Sequence, residues 1–165
     1  MTIKDSFIAE IKHEAALTRK MLERVPFDKI EWRPHEKSMT LGRLATHIAE
    51  TTKWVSDIFH IDDFDFEKDY SFKRHTAATA EELMEIFMSN LETAVSDLSS
   101  MTDEDFNKNW IVRRGGQIMF NTPKKVAIRG WAFSHLIHHR GQLSVYLRLL
   151  DIPVPGMYGP SADER

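Results

Sequence analysis

Apolar residues recur at spacings of three and four through four long stretches of this chain, and each stretch reads as an amphipathic helix. The first, residues 3–24, carries Phe7, Ile8, Ile11, Ala15, Leu17, Thr18, Met21 and Leu22 in phase, and Pro26 stops it. The second, residues 40–59, opens at Thr40 as N-cap and places Leu44, His47, Ile48, Thr51, Trp54, Val55 and Ile58 on one side. The third begins at Thr79, where Thr79-Ala80-Glu81-Glu82 predicts a capping box, and turns Leu83, Ile86, Phe87, Asn90, Leu91, Ala94 and Leu98 inward. The fourth, residues 122–150, takes Asn121 or Thr122 as its cap with Pro123 in the first turn. Its stripe runs Ile128, Trp131, Ala132, His135, His139, Gln142, Leu143, Tyr146, Leu149, Leu150.

The connections follow from where this period fails. Residues 27–39 contain Pro34 and no repeat, which suits a crossing at one end of a bundle. A polar link holding Asp62, Asp63, Asp65, Lys68, Asp69, Lys73 and Arg74 follows the second helix. Residues 110–113 and 117–120 flank Arg114-Gly115-Gly116 and predict a short hairpin covering one end. Pro153, Pro155, Gly156, Gly159 and Pro160 make the last segment a turn or a loose tail. The expected architecture is one all-α domain, a four-helix bundle with a short β-hairpin between its third and fourth helices. Phe133 and Ile137 fall beside Ser144 on the outer side of the fourth helix. That predicts a homodimer along this helix, the hairpin or tail being the competing cover.

At 165 residues the chain suits a single domain able to bury a full core. A net charge of −3 with scattered lysines and arginines gives no basic field, so nucleic acid is not an expected partner. Without cysteine there is no disulfide, no thiolate nucleophile and no Cys-containing zinc site, so any metal must be held by N and O ligands. No apolar run approaches the ~18 residues of a membrane span, and residues 1–5 lack the apolar core of a signal peptide. The expectation is a soluble, cytoplasmic protein.

Three histidines interrupt the apolar stripes. On a helix, positions i and i+4 point about 40° apart, so His135 and His139 stack on one face and can share an ion. His47 faces inward on the second helix. Buried imidazoles need hydrogen-bond partners or a common cation, and a cation would satisfy all three together. Eight histidines make an i, i+4 pair unsurprising, however, so spacing alone favours hydrogen-bonded core histidines over ligands. His138 lies to one side of the pair, as a rim group. His13, His35, His60 and His75 sit in polar surroundings and read as surface residues. Glu50, one turn from His47, reads as a solvated charge or an imidazole partner. Gln142 and Tyr146 continue the His135/His139 face, and Trp54, Trp131 and Tyr146 suggest either an apolar cavity or plain core.

The run Trp131-Ala132-Phe133-Ser134-His135-Leu136-Ile137-His138-His139-Arg140-Gly141-Gln142-Leu143 resembles the signature of the DinB (DinB/YfiT-like) family. Leu41-Gly42-Arg43-Leu44-Ala45-Thr46-His47-Ile48-Ala49 is similar to that family's first-ligand helix, and residues 154–164 to its C-terminal pattern. The resemblance spans the chain in order. It implies a four-helix bundle, often dimeric, with one divalent ion on His47, His135 and His139. Three neutral imidazoles leave coordination positions open, as in catalytic sites, and suit Zn or Ni first, then Fe, Co or Cu. By analogy the activity would be S-transfer from a low-molecular-weight, bacillithiol-like thiol to a small-molecule substrate. Hydrolysis with Glu50 or His138 moving the proton, or a non-catalytic stress-related bundle with a structural metal, are the alternatives.

Overall fold

The computed structural model describes residues 2–69 and 75–164. Helix α1 (Ile3–Leu22) starts in a reciprocal cap: Asp5 N–H donates to the Thr2 hydroxyl, and Thr2 N–H donates to the Asp5 carboxylate. Thr40 caps α2 (Leu41–Glu50) through Arg43 N–H, as the sequence predicts. The second helical stretch is not continuous. It breaks at Thr51 and Thr52 and resumes as α3 (Lys53–His60). The Thr51 hydroxyl donates to the Ile48 carbonyl at 2.7 Å, and the backbone ladder tightens there to three-residue bonds, Trp54 to Thr51 and Val55 to Thr52. Two adjacent β-branched residues, the first with a back-bonding hydroxyl, loosen a helix at that point.

The aspartate-rich link holds a strand, β1 (Asp63–Asp65), that periodicity does not reveal. Lys73 and Arg74 of that link lie outside the described residues. Helix α4 (Ala80–Ser100) is capped by the Thr79 hydroxyl, but the expected box is incomplete: the Glu82 carboxylate accepts from Ala78 N–H, not from Thr79. A short helix α5 (Asp103–Asn107) follows, with its own Thr102/Asp105 capping box. The predicted hairpin is β2 (Asn109–Arg114) and β3 (Gln117–Pro123), turning at Gly115, whose φ of +56° favours glycine. It forms a three-stranded sheet, because β1 pairs parallel with β2, Phe64 opposite Val112. The protein is therefore mostly helical with a small sheet, not all-α.

The fourth helical stretch departs most from expectation. Thr122 is still a strand residue, paired with Trp110, so neither Asn121 nor Thr122 caps a helix. Helix α6 (Lys124–Ala127) passes into a π-helical segment (Ile128–Ser134) and only then into α7 (His135–Leu149). The π segment changes the angular register of everything before His135 relative to everything after it. Phe133, expected outside, is thereby buried at 2% exposure, edge-on to Phe7 of α1 at 5.6 Å. The inward face of α7 is Leu136, Arg140, Leu143, Tyr146 and Leu147, whereas Leu149 is 58% exposed.

Two core clusters fill the interior. One joins α1, α2, α4 and α7 around Met21, Leu44, Ile48, Phe87, Leu143 and Leu147. The other joins α1, α3, α4, the sheet and the π segment around Ile11, Ile58, Leu98, Phe106, Trp110 and Phe133. The tail is ordered, not loose. Asp163 pairs with Arg148 and accepts from Val154 N–H, and the Tyr158 hydroxyl reaches a buried ion pair between Arg140 and Glu14. Among the described residues no helix is long and apolar enough to cross a membrane.

Candidate metal centre

His47 stands in the middle of α2, His135 is the first residue of α7, and His139 follows one turn later. The three rings converge, with centroids 4.6 Å apart for His47–His139 and His135–His139 and 5.1 Å for His47–His135. Nε2 of His47 lies 3.0 Å from Nε2 of His135, and one ring nitrogen from each histidine falls within 4.8 Å of the others. Two nitrogens bound to one zinc at about 2.0–2.1 Å and a tetrahedral angle are about 3.3 Å apart, so the spacing fits a shared ion. All three side chains are half-buried. They occupy the edge of the core, beside the fully buried Leu136/Arg140/Leu143/Leu147 row, and do not replace core leucines as the periodicity suggests.

Electrostatics favour neutral rings with lone pairs available. Burial, then the neighbouring His139, His135 and Arg43, pushes His47 down to about 3. Burial, then His139 and His138, brings His135 down to about 4, and burial also lowers His139 against the opposing pull of Gln142. Nδ1 of His139 is 2.7 Å from the Gln142 carbonyl oxygen. That oxygen can only accept, so the Nδ1 of His139 carries the proton and its Nε2 is left to coordinate. Gln142 is thus placed beside the site, as its position three residues after His139 allows. Tyr146 is not: it is buried in the core, 5.6 Å edge-on to Trp32, and donates to the Met39 carbonyl.

Glu50 and Arg43 flank His47 one turn away on each side and are bonded to each other at 2.9 Å, and Arg43 also donates to the His75 carbonyl. Glu50 is therefore held by Arg43 and is not a free solvated charge. His138 is exposed, its ring 4.9 Å from that of His139, and it stands outside the convergent group. His13, His35, His60 and His75 are exposed as expected, His60 against Asp97 and His75 against Glu82. Arg140, next to His139, was not singled out by its spacing. It is 2% exposed and donates to the Glu14 carboxylate, Glu14 carbonyl, Thr18 hydroxyl and Tyr158 hydroxyl. A charged residue in phase with Leu136, Leu143 and Leu147 was the available signal.

The DinB family model matches residues 1–165. The chain belongs to the DinB family. The chain is 26% identical over 166 residues to the uncharacterized protein YrdA of Bacillus subtilis strain 168, covering 97% of this chain and 90% of that one. Its fold matches a DinB-like protein from Bacillus cereus with a TM-score of 0.68 at 24% identity, covering 93% of this chain and 97% of the other. It also matches the DinB-like protein YjoA of Bacillus subtilis with a TM-score of 0.69 at 18% identity, covering 97% and 99%. DinB membership and the three-histidine cluster are both compatible with metal binding.

Proposed function

We propose that this DinB protein binds one divalent transition metal, zinc or nickel before iron, cobalt or copper, through His47, His135 and His139, and acts as a thiol S-transferase. The observation that carries the reading is the convergence of three nitrogen donors within 4.8 Å, with no carboxylate in the group. Bound there, the ion supplies Lewis acidity that lowers the pKa of water or a thiol. The chain's own part is to hold three neutral imidazoles, to fix the His139 tautomer through Gln142, and to leave one side half-open. Because the chain has no cysteine, the sulfur nucleophile comes from a low-molecular-weight thiol, bacillithiol-like in kind. A cytoplasmic location, where such thiols stay reduced, fits this role. The four helical stretches would form the family's bundle, and Val145 and Leu149, exposed one turn apart on α7, mark the homodimer face in place of Phe133.

The second reading, a hydrolase, rests on Glu50 standing one turn from His47. Its carboxylate is held by Arg43, and for that reason it ranks below S-transfer. A non-catalytic bundle with a structural metal is the third. The deciding experiment is elemental analysis of untagged protein, followed by thiol consumption with a chlorinated aromatic electrophile. About one equivalent of metal and metal-dependent thiol turnover, both lost in His139→Ala, are expected. Less than a tenth of an equivalent after adding Zn or Ni sinks the metal reading. Full metal loading without turnover, with a large loss of thermal stability on chelation, assigns the structural role.

A further inference from the structure

The two helical rods that carry the histidines also carry two tryptophans, further toward the sheet. Trp54 follows His47 by seven residues across the α2/α3 break, and Trp131 precedes His135 by four within the π segment. Just as the His47 and His135 rings meet between these rods, so do the Trp54 and Trp131 rings, at 5.8 Å. From His135 to Trp131 is about one turn, roughly 6 Å, and from His47 to Trp54 about two turns, roughly 10 Å, along the two rods. Trp131 is the hub of the aromatic wall, with Phe120 of β3 at 5.3 Å and Phe66 at 6.3 Å.

This wall flanks the protein's buried aromatic cluster, touching it through Phe64 and Trp110. Phe7, Phe106 and Phe133 meet at 5.5–5.6 Å and are at most 7% exposed. Trp54, Phe66 and Trp131 pack on that core yet are only half-buried, and Phe120 is 46% exposed, so part of their apolar area stays at the surface. The Trp131 indole N–H is shielded from water and has no acceptor among the described residues. A π-helical turn, a form concentrated at functional sites, is what brings Trp131 into this row.

We propose that Trp54, Trp131 and Phe120 form a subsite that takes an aromatic ring on the molecule whose polar end reaches the three histidines. Aromatic rings bury large area and prefer offset or edge-on contacts, which this wall offers. The inference rests on the metal reading above and narrows its substrate to aryl-bearing molecules.

The test uses the full zinc-loaded chain and two probes with the same metal-binding head, benzohydroxamate and acetohydroxamate, measured by calorimetry. Wild type should bind benzohydroxamate at least about tenfold more tightly. Phe120→Ser, on an exposed strand, and Trp131→Leu should each weaken benzohydroxamate about fivefold or more and leave acetohydroxamate within about twofold. If Trp131→Leu does not fold, Trp54→Leu takes its place beside Phe120→Ser. Retained zinc with equal affinities, or a preference that survives every variant, overturns the subsite and leaves the metal reading standing. Zinc not retained at all overturns both. A monomer–dimer shift in sedimentation that Phe120→Ser abolishes would assign the wall to a second copy and overturn the proposal.

Discussion

His139 faces two partners at once, a prospective ion through Nε2 and the Gln142 carbonyl through Nδ1. Replacing such an orienting partner weakens metal binding about 10–100-fold. Gln142 is exposed, so Gln142→Leu should lower zinc affinity by roughly tenfold, measured by chelator competition, while His139→Ala abolishes stoichiometric loading. The depressed histidines also set a pH dependence in the metal-free protein. His47 and His135 stay neutral in the folded chain down to about 3 and 4, whereas the unfolded chain takes up protons near the ordinary 6.5. Between those values the unfolded state binds more protons, so stability rises with pH and is lost as pH falls from about 6.5 toward 4. Chemical denaturation of the chelated protein across that window should show the slope, and His47→Ala should flatten it. The three histidines were legible as a pattern because helical spacing places them on facing stripes. Gln142 was legible only as a neighbour, because hydrogen bonding of a side chain three residues away leaves no periodic trace.

Element by element, the sequence reading succeeds where packing and propensity agree and fails where the backbone leaves the 3.6-residue period. Helices α2 and α4 begin directly after the predicted caps Thr40 and Thr79, and α1 ends before Pro26. The fourth stretch departs from the reading because a π turn takes more residues per turn than the fixed 3.6-residue period allows. Phe133 consequently moved inside and Leu149 outside. Deleting Gly130, which is exposed and has no atom within 4 Å of a Cβ, should restore α-helical register. The variant should keep its helical circular dichroism yet lose the Trp54–Trp131 alignment, seen as a shift in tryptophan emission. Strand β1 escaped notice because three residues in a charged link carry too little alternation to register.

At the scale of the whole molecule, the Arg140–Glu14 pair binds the last helix to the first and draws in the tail through Tyr158. Removing one partner of a buried pair leaves the other charge unsatisfied and costs about 3–5 kcal/mol. Arg140→Ala should therefore lower the melting temperature sharply, whereas Tyr158→Phe removes one hydroxyl and should cost about 1 kcal/mol. On the proposed dimer face, Val145→Asp should leave the monomer folded and shift sedimentation equilibrium away from dimer. No such shift at micromolar protein would remove that face as an interface.

His135 and His139 share one rigid turn, but His47 reaches them from 88 residues earlier in the chain. An ion held by all three would act as a clasp between α2 and α7, which otherwise meet through the shared core. Its exchange would then be gated by how often α2 lifts away from α7, so metal release and amide hydrogen exchange along α2 should share one opening event.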